Sequence, residues 1–431
     1  MPRRTPRPAR SLLSLLGLAA AAAGLLVPAC SSEGAAPAEP VLEDEPDAGV
    51  TPPREAECTS GSEGPSLTAV RRCGAPDNRI NLVFIGDGYT AEELPTWAAH
   101  VDALSDEILT TAKPYDRYRN FINVYRVDVE SAQSGIDDPE NGVLVDTALD
   151  GTNSCVDWMA GQCQIDWKKT HAAIDAATAG IPVHWRFVGL HTPIFLGATH
   201  YPAEGTLCVY PTDVPDTFHI ATHEGGHGFH LLGDEYVNEG EENNSYAGPE
   251  PTWPNLTLDP TGAKWQRWLG FEQPELGGPV GAYEGGLVTS GKGVYRPSPQ
   301  SRMNWFVHEL DAIGKEAMIQ SIYAHVRPID EHLPSEGIVE DCQAPWLRVV
   351  DPAVLAVEWS VDGELQPGAS GEALDACALG LPAGLHTVKA RAYDTVIDHA
   401  FSDNAAPHPL DLVRQGLESL EQSVEWQVRV P

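Results

Sequence analysis

The stretch HEGGHGFHLLGDEY, residues 223–236, restricts the possible folds of this chain more than any other segment. Residues four apart lie one above the other on an α-helix, so His223 and His227 share a face only if this segment is helical. Two neutral imidazoles placed in this way can hold one metal ion, with room for a third protein ligand and a water. Glu224 follows the first histidine, where its carboxylate can reach such a water without being a ligand. There it would take a proton from the water as it attacks a carbonyl, then pass it to the leaving amine. This is the mechanical content of H-E-x-x-H, and Zn2+ is the cofactor it calls for.

The surroundings of the two histidines carry further expectations. A helix beginning near Asp216 would bury Phe218, Ile220 and Ala221. Gly225, Gly226 and Gly228 each cost about 1 kcal/mol relative to alanine, so a helix that keeps all three should be buried and tightly packed. His230 lies seven residues after His223, roughly 10 Å along a continuing helix, which makes it a packed histidine rather than a ligand. Gly233 can adopt a left-handed conformation and reverse the chain, bringing Asp234 or Glu235 back beneath the metal. Asp234 is the preferred third ligand and Glu235 the alternative. Tyr236, Tyr295 and Arg296 are candidates for stabilising an oxyanion.

Elsewhere, apolar runs alternate with helical patterns. INLVFIG, FINVYRVDVES and IPVHWRFVGL read as strands. AEELPTWAAHVDALSDEILTT reads as a helix with Thr90 as N-cap, and WKKTHAAIDAATAG as a second helix. This alternation predicts an α/β domain over residues 58–330. Beyond residue 330, VLAVEWSVDGE, LHTVKARAYD and SVEWQVRVP alternate in polarity between turn-rich segments. They predict a small all-β sandwich of the immunoglobulin or fibronectin kind over 336–431.

The first thirty residues read as an export signal. Arg3, Arg4, Arg7 and Arg10 precede an apolar stretch that ends in LVPAC, a lipobox-like sequence whose Cys30 would be acylated; an ordinary cleaved secretory signal is the alternative. Residues 31–57, rich in Pro, Ala and acids, would then be a flexible tether. The expected location is the outside of a membrane, touched only through the lipid at Cys30. With 27 basic against 62 acidic residues the formal charge is -35, which argues against a nucleic-acid partner. An exported chain meets oxidising conditions, and spacing favours the disulfides Cys58–Cys73, Cys155–Cys163 and Cys342–Cys377, leaving Cys208 unpaired.

HEGGHGFHLLGDEY resembles the HExGHxxxxLxDEY signature of the M64 (IgA peptidase) family of zinc metallopeptidases. NLVFIGDGYT, FINVYRVDVESAQSGIDDP, AKWQRWLG, GAYEGG and VYRPSPQSRMNW resemble further blocks of that family in the same order. The resemblance spans roughly residues 75–325. It implies a metzincin-like zinc peptidase domain, with zinc on His223, His227 and Asp234, Glu224 as general base and Met303 as a Met-turn under the metal. Gly225 stands where family members often carry a bulky residue, so the glycine pattern of the helix is shifted. Asp87 and Tyr89 match family positions to which no chemical role is assigned. The function this implies is a zinc endopeptidase acting on a protein or peptide. The alternatives are a non-catalytic surface-binding lipoprotein and a zinc amidase for a non-protein amide.

Overall fold

Every residue of Ile80–Asp87 is buried, and a strand of that kind needs apolar cover on both faces. The computed structural model describes residues 58–157, 162–401 and 408–431. In chain order the main sheet begins with β1 (Thr59–Ser62), β2 (Leu67–Arg72), β3 (Ile80–Asp87) and β4 (Ile122–Val127). A three-stranded ribbon of β5 (Cys155–Asp157), β6 (Gln162–Cys163) and β7 (Ile165–Asp166) intervenes. The main sheet is then completed by β8 (Trp185–Leu190), β9 (Ala198–His200) and β10 (Leu207–Pro211). Its order is β1-β2-β4-β3-β8-β10-β9. The four central strands are parallel, and antiparallel pairs close both edges.

Side chains alternate along β3, so Ile80, Leu82 and Phe84 face one side while Val83 and Ile85 face the other. The first side is covered by helix α1 (Leu94–Thr111) through Trp97, Val101, Leu104 and Ile108. Thr90 acts one turn ahead of α1: its N–H and hydroxyl both donate to the Glu93 carboxylate, at 3.0 and 2.9 Å. Helix α2 (Trp167–Ala177) covers the second side through Ile174, and the Asp166 carboxylate caps it by accepting from the N–H groups of Lys168 and Lys169. Helix α3 (Thr217–Gly228), which carries the two histidines, lies with α1 on the first side.

The rest of the chain forms the hairpin β11 (Tyr283–Gly286) and β12 (Ser290–Arg296), helix α4 (Ala312–Tyr323), and seven more strands. These are β13 (Ile329–His332), β14 (Ile338–Val339), β15 (Leu347–Val349), β16 (Leu355–Val361), β17 (Glu364–Leu365), β18 (Gly384–Asp394) and β19 (Glu421–Val430). β13 pairs with β15, and the other five form one sheet in the order β14-β19-β18-β16-β17. Trp359 and Trp426 stack inside it with ring centroids 5.8 Å apart.

The described residues belong to one compact unit, and the core does not break at residue 330. A single apolar cluster runs from Ile80 and Phe84 through Ile319 and Ile322 to Trp359 and Val428. At its centre the buried Asp394 accepts from Arg117 at 2.8 Å, from the Tyr118 hydroxyl at 2.7 Å and from the Tyr323 hydroxyl at 2.8 Å. Two expected disulfides, Cys58–Cys73 and Cys342–Cys377, are formed, and Cys208 is buried and free. The side chains of the third pair, Cys155 and Cys163, lie outside the described residues, as does everything before residue 58, Cys30 included. No helix among the described residues is long and apolar enough to cross a membrane.

Candidate metal centre

Helix α3 starts after Asp216, as its sequence predicts, but it ends at Gly228 rather than at Gly233. The residue that turns left-handed is Leu231, with φ 54°, a position any side chain other than glycine occupies at a cost. The turn is held by Leu232 N–H donating to Gly226 O at 3.0 Å, and by His227 Nδ1 donating to Leu232 O at 2.7 Å. Gly233 serves close approach instead: a Cβ there would lie 2.5 Å from Leu256 Cδ1. The Asn255 amide clasps its backbone, accepting from Gly233 N–H and donating to Gly233 O, both at 2.8 Å.

The three glycines of α3 are explained in the same way. A Cβ at Gly225 would come within 2.5 Å of Trp185, and one at Gly226 within 2.8 Å of the Met303 sulfur. One at Gly228 would overlap the sulfur of Cys208. The helix therefore lies directly on β8 and β10, and the lost helix propensity is offset by burial against the sheet.

This packing brings three ligating atoms together. His223 Nε2, His227 Nε2 and Asp234 Oδ1 form a triangle whose sides are each 3.2 Å. They are the one group of three or more His, Cys, Asp or Glu side chains, among the described residues, arranged to hold a metal ion. The Nδ1 of His223 faces Arg302 O at 2.9 Å, and that of His227 faces Leu232 O at 2.7 Å. A carbonyl oxygen only accepts, so each Nδ1 carries the proton and each neutral Nε2 presents a lone pair. Asp234 Oδ1 is buried with no hydrogen-bond partner. Three lone pairs aimed at one point repel unless a cation lies between them. Equal sides of 3.2 Å are the base of a tetrahedron whose centre is about 2 Å from each atom, the bond length of zinc to imidazole and carboxylate. The residues fit the ion.

Glu235 points away from this triangle. Its carboxylate accepts from Asn255 Nδ2 at 2.8 Å and from the Ser301 hydroxyl at 2.6 Å, while its N–H donates to Met303 O at 2.8 Å. Burial, with the nearby Asp311 carboxyl adding to it, pushes its carboxyl well above the ordinary range. Glu235 therefore braces the ligand loop against the segment that carries Met303, which is itself fully buried against α3.

Glu224 projects from α3 toward the edge strand β9. The Thr199 hydroxyl donates to its Oε2 at 2.8 Å, and a Cβ at Gly197 would lie 2.8 Å from its Oε1. Burial raises its carboxyl above the ordinary range, opposed by His223 and His227. Tyr201, directly after β9, is 51% exposed, and partial burial of its ring together with the nearby Glu224 and Asp234 carboxylates raises its hydroxyl. It was not singled out in the sequence; the two-residue alternation from Gly197 and Thr199 is the signal that would have found it.

The remaining expectations divide. His230 is buried, with Nε2 2.7 Å from the Tyr115 hydroxyl, among Trp185 and Phe229. Arg296 is committed to the carbonyls of Glu284 and Gly285, at 2.9 and 3.0 Å, and Tyr295 pairs through its backbone with Thr257. Tyr236 lies by the ligands, and burial followed by the Asp234 charge pushes its hydroxyl up to about 12. Asp87 gains a structural role: its carboxylate accepts from the Thr147 hydroxyl and from the N–H groups of Leu149 and Gly151, pinning that loop. Tyr89 donates to Thr212 at 2.7 Å and stacks on His191.

In this mixed α/β chain, two histidines and a carboxylate from one helix and the turn after it converge within reach of a single metal ion, beside a buried glutamate. Residues 68–279 match the family described as IgA Peptidase M64, and this region of the chain belongs to that peptidase family. The match takes in β2 to β10, α3 and Asp234, and stops before Met303. No curated protein matches the chain.

Proposed function

We propose that the protein is a zinc-dependent endopeptidase in which His223, His227 and Asp234 hold the metal and Glu224 is the general base. The observation that carries this reading is the equilateral set of three lone-pair atoms, 3.2 Å apart, with a buried glutamate on the next residue. A zinc ion there supplies Lewis acidity, polarising a scissile carbonyl and acidifying water. Glu224, its carboxyl raised by burial, takes a proton from the water and returns it to the leaving amine. Thr199 fixes the orientation of that carboxylate. Arg302 O and Leu232 O keep both imidazoles in the ligating tautomer. β9 is the antiparallel edge of the sheet, so an extended peptide can pair with it alongside Glu224. Tyr201 and Tyr236 bring hydroxyls to the same opening and are the donors available to a developing oxyanion.

The wider assignments belong to the same reading. Residues 58–330 are the peptidase domain, with Met303 in a metzincin-like turn, and 336–431 an accessory β-sandwich whose core is shared with it. Residues 1–30 are an export signal, with acylation at Cys30 and 31–57 as tether. The test is digestion of an unfolded protein by zinc-loaded residues 31–431 beside Glu224→Gln. Cleavage by the first alone supports the peptidase and its base; cleavage by neither, with zinc bound, refutes a general endopeptidase.

A further inference from the structure

Three large apolar side chains near the helix that carries the metal ligands stand open to solvent, around a fourth that is half-buried. Phe195 is 60% exposed, Trp305 58% and Val307 44%, and Phe306 lies half-buried between them. Phe306 is the hub, with ring centroids 5.4 Å from Trp305, 5.8 Å from Phe195 and 6.4 Å from His219. His219 precedes His223 by four residues, about 6 Å along α3 on the ligand face, and through it the aromatic group adjoins the face of the helix that carries the ligands.

Both segments that supply these rings also build the catalytic centre. Phe195 lies two residues before Gly197, which abuts the Glu224 carboxylate. Trp305 and Phe306 follow Arg302 and Met303, whose main chain orients His223 and receives Glu235. Arg302 stiffens the arrangement: its guanidinium donates to the Thr222 hydroxyl and to Phe306 O and lies over the Phe218 ring. Exposed apolar groups on a rigid support, continuous with a reactive centre, mark a binding surface. In a chain of charge -35, such a surface does not serve solubility.

We propose that Phe195, Trp305 and Phe306 form a subsite for one bulky apolar side chain of the substrate, next to the bond that is cut, toward the N-terminal end of α3. This rests on the peptidase reading for the word substrate, but the binding itself requires only the loaded metal. A side chain there is gripped by the aromatic faces while the neighbouring carbonyl lies between the metal ligands and Glu224. The subsite thus selects bonds flanked by aromatic or large aliphatic residues.

The experiment uses zinc-loaded protein and two peptide hydroxamates identical except for a benzyl or a methyl side chain beside the chelating group. Calorimetry should show the benzyl compound binding at least tenfold more tightly. Trp305→Ala and Phe195→Ala, each at a largely exposed ring, should lower that ratio below threefold. A ratio below threefold in the unaltered protein overturns the proposal, as does a ratio that both substitutions leave intact or a failure of either compound to bind. Digestion of an unfolded protein separates this from the peptidase reading. Cuts without apolar preference refute the subsite alone, and an intact ratio without any cleavage refutes the peptidase alone.

Discussion

Replacing Asp394 by alanine should unfold far more than the C-terminal sheet in which it lies. Its side chain is fully buried, and Arg117, with 15% of its side chain exposed, is its ion-pair partner. The same carboxylate accepts from the Tyr118 and Tyr323 hydroxyls and from Val396 N–H. Removing one member of a buried ion pair costs about 3–5 kcal/mol, because the remaining charge is left without compensation. Each buried hydroxyl deprived of its acceptor adds about 1 kcal/mol or more, less what local water recovers. The expected loss is therefore about 4–6 kcal/mol, a large part of the roughly 5–15 kcal/mol available to a folded unit. Arg117 and Tyr118 precede β4, and Tyr323 ends α4, so the damage should reach the peptidase half. Urea denaturation followed by tryptophan fluorescence and, separately, by zinc release should show one transition displaced to lower urea. A loss below about 1 kcal/mol, or zinc release that keeps its original midpoint, would refute the argument that the two regions share one core.

Further outcomes follow from the same geometry. Asp234→Ala should abolish stoichiometric zinc binding at micromolar metal while Glu235→Gln retains it, with at most about a 10–100-fold weakening from the disturbed brace; equal losses on metal titration would reverse the ligand assignment. Gly228→Ala should cost about 1–3 kcal/mol through overlap with the Cys208 sulfur, and Cys208→Ala should recover part of it in a double-mutant cycle; strictly additive losses count against that contact. His230 is held neutral by burial, its pKa lowered from 6.5 to about 3, so the unfolded chain binds the extra proton first. Its contribution to stability is present above pH 6.5 and is lost as pH falls toward 3, so His230→Phe should flatten the fall in denaturation midpoint between pH 7 and 5.

What can be read in the sequence here is what depends on local periodicity. Four-residue spacing makes His223 and His227 neighbours on any helix, and the glutamate between them faces the same opening. Period-two and helical patterns likewise locate β3, β4, β8, α1 and α2, because each element's own residues determine which face it buries. The choice between Asp234 and Glu235 is of another kind. It depends on Leu231 turning left-handed, and on Asn255 and Ser301, distant in the chain, capturing Glu235 and leaving Asp234 beneath the histidines. The orientation of His223 depends on Arg302, 79 residues away, and the glycines of α3 have a reason only once Trp185, Cys208 and Met303 are packed against it. The change of pattern after residue 330 shows where β-structure begins, yet not that its core merges with that of the preceding domain through Asp394. Hydrogen bonds and contacts between segments so far apart form only when the whole chain is compact, so no spacing within one segment encodes them. The sequence by itself determined that two histidines and a glutamate share one helix; tertiary packing decided which carboxylate converges with the histidines, and why that helix keeps three glycines.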